Sequence, residues 1–534
     1  MTNRSHPVPS PASLARKKFL GFGSLGLAAI LSGCNSMPGV DLAPPYEPPQ
    51  FIVPASWHGA SPFVEARPSD SEIRPDWWKL FRDPVLDTLE QQAMAANADL
   101  QAAAERFIQA RDIMMKAKSR LYPRLGLGFG ASDNKQSQNA LFRGPDEPIY
   151  DTSVSDAGIA SWEPDFWYAI RNETAAQASR VQKRAADYAL ARLSLQAEIA
   201  SDYFTLRGYD AQLGIYKQSI DYYKKSLDIV NEQFASKIAS ELDVARGKNL
   251  LYSTEAKQLS VQGEREVAEH ALAVLVNTAP ASFKITPVYS LRITSLKLPR
   301  TLPSTLLERR PDIAAMEREM ARANREIGIA KAAFFPRVEF RLAGGFEDHG
   351  INLVKLANSF WSYGAAVSLP VFEGGLRRAQ LQQSWSAYRE TEDKYRSTVL
   401  NAFREVENGL SLTNRLSASA KKLDAAVAAA LQTQNLTMDL FKGGLNSSLE
   451  LIYAQVATLT ARIDMVEVKA RLLKSTVELV RALGGGWDRG KLPTDAEIQP
   501  FGPLDYDLQT QPEPAGRISA SLGEANTDLT KPPR

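Results

Sequence analysis

Apolar positions along this chain repeat with two periods, and the change from one to the other falls at proline. Spacing by threes and fours, the mark of a helix, runs up to the residue before Pro123 and again before Pro336, because proline biases its predecessor away from helical geometry. Beyond each proline the period becomes two. Leu125, Leu127 and Phe129 alternate with three glycines, and Val338, Phe340 and Leu342 alternate with Glu339, Arg341 and Ala343. Each series predicts a strand with one apolar face. After a polar loop, Trp361, Tyr363, Ala365, Val367 and Leu369 alternate with Ser362, Gly364, Ala366 and Ser368. The stretch around 150–162 alternates poorly and is assigned as a strand only through an internal repeat. Pro164 and Pro370 end these segments, so the predicted strands are about 124–133, 150–163, 337–346 and 360–370.

Very long helices follow the strands. Asn172 to Ser236 holds 65 positions without proline and Leu376 to Phe441 holds 66, which at 1.5 Å per residue extends about 100 Å. Ile199, Tyr203, Leu206, Leu213, Tyr216, Ile220, Tyr223, Leu227, Val230 and Phe234 step by an average of 3.5 once Asp210 is counted in register. That period is the seam of a left-handed coiled coil. Turns at 236–241 and 442–448 send each helix back, predicting return helices at 241–277 and 449–483.

The repeat organises these elements. Residues 99–125 align with 312–338 at a constant offset of 213, matching Asp99 with Asp312, Lys118 with Lys331 and Pro123 with Pro336. Further on, Phe234 and Leu242 correspond to Phe441 and Leu449 at an offset of 207. The expected organisation is a first repeat over 76–277, a linker over 278–301 and a second repeat over 302–487. Residues 34–75 precede them as an extended segment, and 488–534, with Pro493, Pro500, Pro503, Pro512 and Pro514, read as a flexible tail. Two strand pairs per chain leave open edges, which hydrocarbon does not tolerate, and the smallest membrane barrels need about eight strands. A cyclic trimer supplies twelve. The expected fold is thus a mixed α/β membrane protein, a trimeric twelve-stranded barrel with four strands per chain, continued by a long helical coiled-coil barrel.

Composition narrows the function. Lys+Arg 63 against Asp+Glu 61 gives a net charge of +2 with no basic block, which removes nucleic acid as a partner. The chain has one Cys and four His, too few for a disulfide framework or a His-rich metal site. That Cys has a distinctive place. Arg16, Lys17 and Lys18 precede an uncharged stretch from Phe19 to Leu31, too short to span a bilayer and shaped like a secretory signal. It closes on Leu31-Ser32-Gly33-Cys34, which resembles the lipobox of bacterial lipoproteins. The resemblance implies that residues 1–33 are removed and that Cys34 carries N-acyl and S-diacylglycerol lipid, with Asn35 favouring the outer membrane. Cleavage leaves 59 basic against 61 acidic residues, a net charge of −2. Gly21, Gly23 and Gly26 spell a dinucleotide-type motif, but no strand precedes them and the segment is cleaved.

Five stretches then resemble one family: Asp76-Trp-Trp-Lys-Leu-Phe-Arg-Asp-Pro-Val-Leu86, Leu302-Pro-Ser-Thr-Leu-Leu-Glu-Arg-Arg-Pro-Asp-Ile313, Ile327 to Pro336, Leu369-Pro-Val-Phe-Glu-Gly-Gly375 and Ala482-Leu-Gly-Gly-Gly-Trp487. The chain is similar to TolC-type outer-membrane factors of the lipoprotein branch that works with RND efflux systems (OprM-like, NodT-like). The resemblance implies no enzyme activity and no cofactor beyond the lipid. It implies a homotrimer that conducts small molecules passively from a periplasmic adaptor and an inner-membrane RND transporter to the exterior. Metal-ion efflux and type I protein secretion are the alternatives within transport, and a pore-less periplasmic coiled-coil scaffold is the alternative outside it.

The resemblance places the gate at the helical turns. Asp243 falls on the acid of the first tip and Glu450 on an acidic ring position of the second, while Tyr453 stands where a second acidic ring is expected. Phe441 and Asn446 replace a Tyr and an Arg that bond the first acid in a well-known relative, leaving Arg246 or Lys442 as the partner. The plain alternative is helix N-terminal charge, where an acid gains about 0.3–1 kcal/mol from the dipole. Trp77, Trp78, Trp361 and Trp487 are read as packing or interfacial residues, Arg309 and Arg310 as collar structure, and nine unclustered Met give no support for copper or silver export.

Overall fold

The computed structural model describes residues 38–505 except 49–50, 52, 54–56, 58–62, 65–74, 138–149, 292–297, 300–302, 351–352, 354 and 504. The signal segment, Cys34 and the tail from 506 onward lie outside the described residues. Asp83 opens α1 (Pro84–Ala96), accepting from the Val85 and Leu86 amides at 3.0 and 3.3 Å. Asn97 ends that helix and caps α2 (Ala98–Ser119), accepting from Leu100 N at 2.9 Å. Strands β1 (Arg124–Lys135) and β2 (Tyr150–Trp162) follow. Then come α3 (Ala169–Ala235) and α4 (Glu241–Leu275). The second half has α5 (Pro303–Arg309), α6 (Pro311–Ala332), β3 (Arg337–Asp348), β4 (Ser359–Ser368), α7 (Leu376–Lys442) and α8 (Ser448–Ala482). Helix α3 begins at Ala169 rather than Asn172 because the Asp165 carboxylate accepts from the Ile170 and Arg171 amides at 3.0 and 2.8 Å.

The four strands form one antiparallel sheet in the order β1-β2-β3-β4. Register puts Leu127 opposite Gly158, Gly158 opposite Gly344 and Gly344 opposite Trp361, so these residues share one face. The same face carries Leu125, Phe129, Val154, Trp162, Phe340, Leu342, Tyr363 and Val367. It is exposed along β1 and β4, with Leu127 and Phe129 each at 82%, and half-buried at Val154 and Trp162 on β2. The opposite face holds Gly126, Gly128 and Gly130 on β1, serines on β2, and Glu339 and Arg341 on β3, the last two paired at 2.9 Å. Among the described residues, β1 and β4 each pair on one side only. No described helix is long and apolar enough to cross a membrane.

The long helices α3 and α7 have 67 residues each and pack antiparallel against α4 and α8. Their main core lies midway along them. Trp77, Phe81, Leu86, Leu89, Ile199, Tyr203 and Leu206 pack there with Val399, Val406, Leu410 and the ends of α4 and α8. Asp210 occupies the helix seam fully buried, held by Arg207 at 2.8 Å and Arg265 at 2.7 Å. Its Oδ2 accepts from Val288 N at 3.0 Å, while Arg207 and Arg265 donate to the carbonyls of Thr286 and Ile285 at 2.8 and 2.6 Å. The connection between the two halves is thereby strapped to α3 and α4. Arg310 is buried, donating to Asp312, Glu405 and the Ala482 carbonyl. Gly484, at φ 90°, lets the chain pass: a Cβ there would lie 2.0 Å from the Arg309 carbonyl oxygen.

Both ends of the described chain lie along these helices. The N-terminal segment starts beneath the sheet, where Val40 N donates to Phe166 O at 2.8 Å. Asp41 accepts from Asn172 at 2.9 Å and Arg325 at 3.0 Å, and Asn324 donates to Pro44 O at 2.8 Å. Further along, Phe51 meets Tyr395 and Trp57 meets Phe403 edge-on. The other end corrects the expectation of a flexible tail from 488. Residues after Trp487 turn back along α2 and α3, with Ile498 fully buried against Ala110, Met114 and Val181. Prolines there confine secondary structure to a single 3-10 turn, Arg489–Lys491, without preventing packing.

Candidate functional site at the helical turns

The two turns at the far end of the rod are built alike. Each long helix ends in a left-handed residue whose neighbour closes back on the last turn. Lys237 has φ 57° with Ile238 N donating to Gln233 O at 2.8 Å, and Gly444 has φ 72° with Leu445 N donating to Leu440 O at 2.9 Å. A serine then caps each return helix, Ser240 for α4 and Ser447 for α8. Beneath the turns Val230, Val244, Met438, Phe441 and Leu451 form a small core.

Asp243 and Glu450 both stand three residues past their capping serine, yet their carboxylates differ. Asp243 completes a capping box: its Oδ2 accepts from Ser240 N at 3.1 Å and Ser240 Oγ at 2.6 Å. Its Oδ1 accepts from the hydroxyl of Ser448, the first residue of α8, which ties one turn to the other. Arg246 stands 3.8 Å from the same oxygen. Bonds from Ser240 and then Ser448 hold the Asp243 carboxyl below the usual carboxylate range. Glu450 keeps its carboxylate exposed; only its amide engages Ser447, at 3.4 Å. Tyr453, one turn on, is 66% exposed.

The sequence-predicted residues therefore divide into two groups. Asp243 and Arg246 meet, with Ser448 as a partner that the sequence did not single out. Glu450 and Tyr453 share an open face of α8, and Lys442 is exposed while Phe441 is buried in the core below. Ser240 was recoverable from the Ser-x-x-Asp spacing, whereas Ser448 meets Asp243 across 205 residues. Among the described residues no group of three or more His, Cys, Asp or Glu is arranged to hold a metal.

Comparison with known proteins fits this architecture to a family. The outer membrane efflux protein family matches residues 89–278 and 302–485, which is most of the chain. The chain belongs to that family. This outer membrane efflux protein is 28% identical over 479 residues to the toluene efflux pump outer membrane protein TtgF of Pseudomonas putida, covering 87% of this chain and 96% of that protein. It is 27% identical over 485 residues to the outer membrane protein OprJ of Pseudomonas aeruginosa, covering 89% and 98%. The solved structure of the outer-membrane channel OprN aligns with a TM-score of 0.77 at 27% identity, covering 84% of this efflux protein and 99% of that chain.

Proposed function

We propose that three copies of this chain form the exit duct of a tripartite efflux pump, with a twelve-stranded barrel in the outer membrane continued by a helical tube into the periplasm. The observation that carries the reading is the sheet: an apolar face exposed over most of its width and two edges with no partner among the described residues. Closure with two further copies pairs every edge and turns the apolar face to lipid. Trp361 and Tyr363, stacked with ring centroids 5.6 Å apart on that face, then belong to an aromatic girdle. The halves of the chain act as two tandem repeats, each supplying two strands and one helical hairpin to the wall. Small molecules pass through, delivered by a periplasmic adaptor and an inner-membrane RND transporter; the duct itself performs no catalysis.

Cys34 anchors the mature chain through its lipid. Gly39 is five residue steps further on, a reach of at most about 18 Å. The Phe166 carbonyl beside Gly39 lies just below β2, so the lipid falls at the base of the barrel. At the other end Asp243 and Ser448 latch the turns, with Arg246 near them, and Glu450 and Tyr453 line the constriction.

Crosslinking in native detergent tests the assembly, and a trimer is the expected product. The same material in planar bilayers should conduct with a preference for cations that Glu450→Lys reverses or strongly reduces. A stable folded monomer in the membrane would overturn the reading.

A further inference from the structure

Four parts of the chain far apart in sequence meet around one carboxylate near the middle of the molecule. Glu317, on α6, is 2% exposed. Its Oε1 accepts from the hydroxyl of Tyr46, in the N-terminal segment, at 2.7 Å. Its Oε2 accepts from Arg489, in the C-terminal segment, at 3.1 Å. Arg318 grips both oxygens at 2.6 Å and passes its remaining amine to Gln182 Oε1 on α3 at 3.0 Å. Gln182 in turn donates to the Pro493 carbonyl at 3.2 Å, which returns to the C-terminal segment and closes a ring.

We infer that Glu317 is a clasp that fastens both ends of the chain onto the seam between its two halves, and that it closes only after those halves have packed. The buried carboxylate is the reason for a shared fastening. Left alone, it would carry an unpaired charge in a covered site, so it holds Arg318 and Arg489 by charge and Tyr46 by hydrogen bond. Burial and the neighbouring Glu317 charge also push the Tyr46 hydroxyl up, so it stays protonated and remains a donor. The seam explains the order of events: Gln182 comes from the first half and Glu317 from the second, so neither the N-terminal nor the C-terminal segment has its full set of partners until α3 and α6 are side by side. Arg489 lies 172 residues beyond Glu317, so the ring cannot close before that distant segment has been made. This inference does not depend on the molecule being a channel.

Hydrogen exchange on the full-length lipidated protein in detergent tests it. Glu317→Gln should raise amide exchange by about tenfold or more in both 39–48 and 488–499. Arg489→Met should do so in 488–499 alone, and Tyr46→Phe in 39–48 alone. The two single variants remove partly exposed partners and serve if Glu317→Gln fails to fold. Wild-type exchange at both ends in Glu317→Gln would overturn the clasp. So would a uniform rise across α6 in any of the three, since that would mean general loosening rather than release of two straps.

Discussion

At the scale of single residues, two carboxyl groups have perturbed acidity of opposite sign, and each gives a pH prediction. Asp243 is held below the ordinary carboxylate range by the Ser240 and Ser448 hydroxyls, so its bonds stabilise the joined turns at neutral and mildly acid pH and are lost as pH falls through that lowered value. Asp243→Ala or Ser448→Ala should therefore raise open probability in planar bilayers at pH 7. The wild type should match them only under acid below the normal carboxylate range. Wild-type open probability in both variants would reduce Asp243 to a helix-end charge. Glu90 is the opposite case. It is fully buried on α1, neither oxygen has a hydrogen-bond partner, and burial, then the charge of Asp87, pushes its carboxyl well above the usual range. Its neutral form favours the fold below the unfolded carboxyl pKa, and that contribution drains away as pH rises towards the folded value. Glu90→Leu should raise stability by about 1–3 kcal/mol, with the gain growing from pH 5 to pH 9. A gain in thermal midpoint that is the same at every pH would rule out ionisation as the cause.

At the scale of elements, the seam of α3 contains one charged residue among apolar ones. Removing the Asp210 carboxylate leaves Arg207 and Arg265 buried without their shared partner, a loss of about 3–5 kcal/mol for a broken buried pair. Asp210→Ala should lower the thermal midpoint of the assembled protein and speed exchange at 283–288; a stability change under about 1 kcal/mol would mean that the strap is held by its backbone alone. The sequence showed Asp210 to be in register but not what it binds, since beyond Arg207 on its own helix its partners Arg265 and Val288 lie on another helix and on a connecting loop. Strand periodicity was legible where large apolar residues mark the face, as at Leu125, Leu127 and Phe129 or at Trp361 and Tyr363. It was poorly legible in β2, and the sheet explains why. That strand lies inside the sheet, and its apolar-face positions carry Val154, Asp156, Gly158 and Ala160, a set broken by a charge and a glycine, with Leu127 reaching within 3.7 Å of where a side chain at Gly158 would stand. Residues 488–503 were misread because proline content reports on regular secondary structure, whereas Ile498 and Arg489 dock by side chains alone.

At the scale of the whole molecule, the N-terminal segment runs from beneath the sheet to the middle of the long helices. If Cys34 is the anchor, mass spectrometry should find the mature chain beginning there with its acyl chains. Cys34→Ala should impair processing and delivery while any inserted protein remains trimeric and conducting, since the barrel holds itself in the bilayer. An unmodified Cys34 or a start elsewhere would sink the claim. The other consequence of closing three sheets concerns the inside of the wall. Gly126, Gly128 and Gly130 line the polar face of β1 in a row, a stretch of about 13 Å without side chains. In a barrel closed from three copies as proposed, that row would occur three times, as three smooth lanes of backbone between strands that carry serine and charge on this face. A solute passing such a lane would meet backbone rather than side chains there, which leaves any grip on cargo in that part of the duct to the serines and charges of the neighbouring strands.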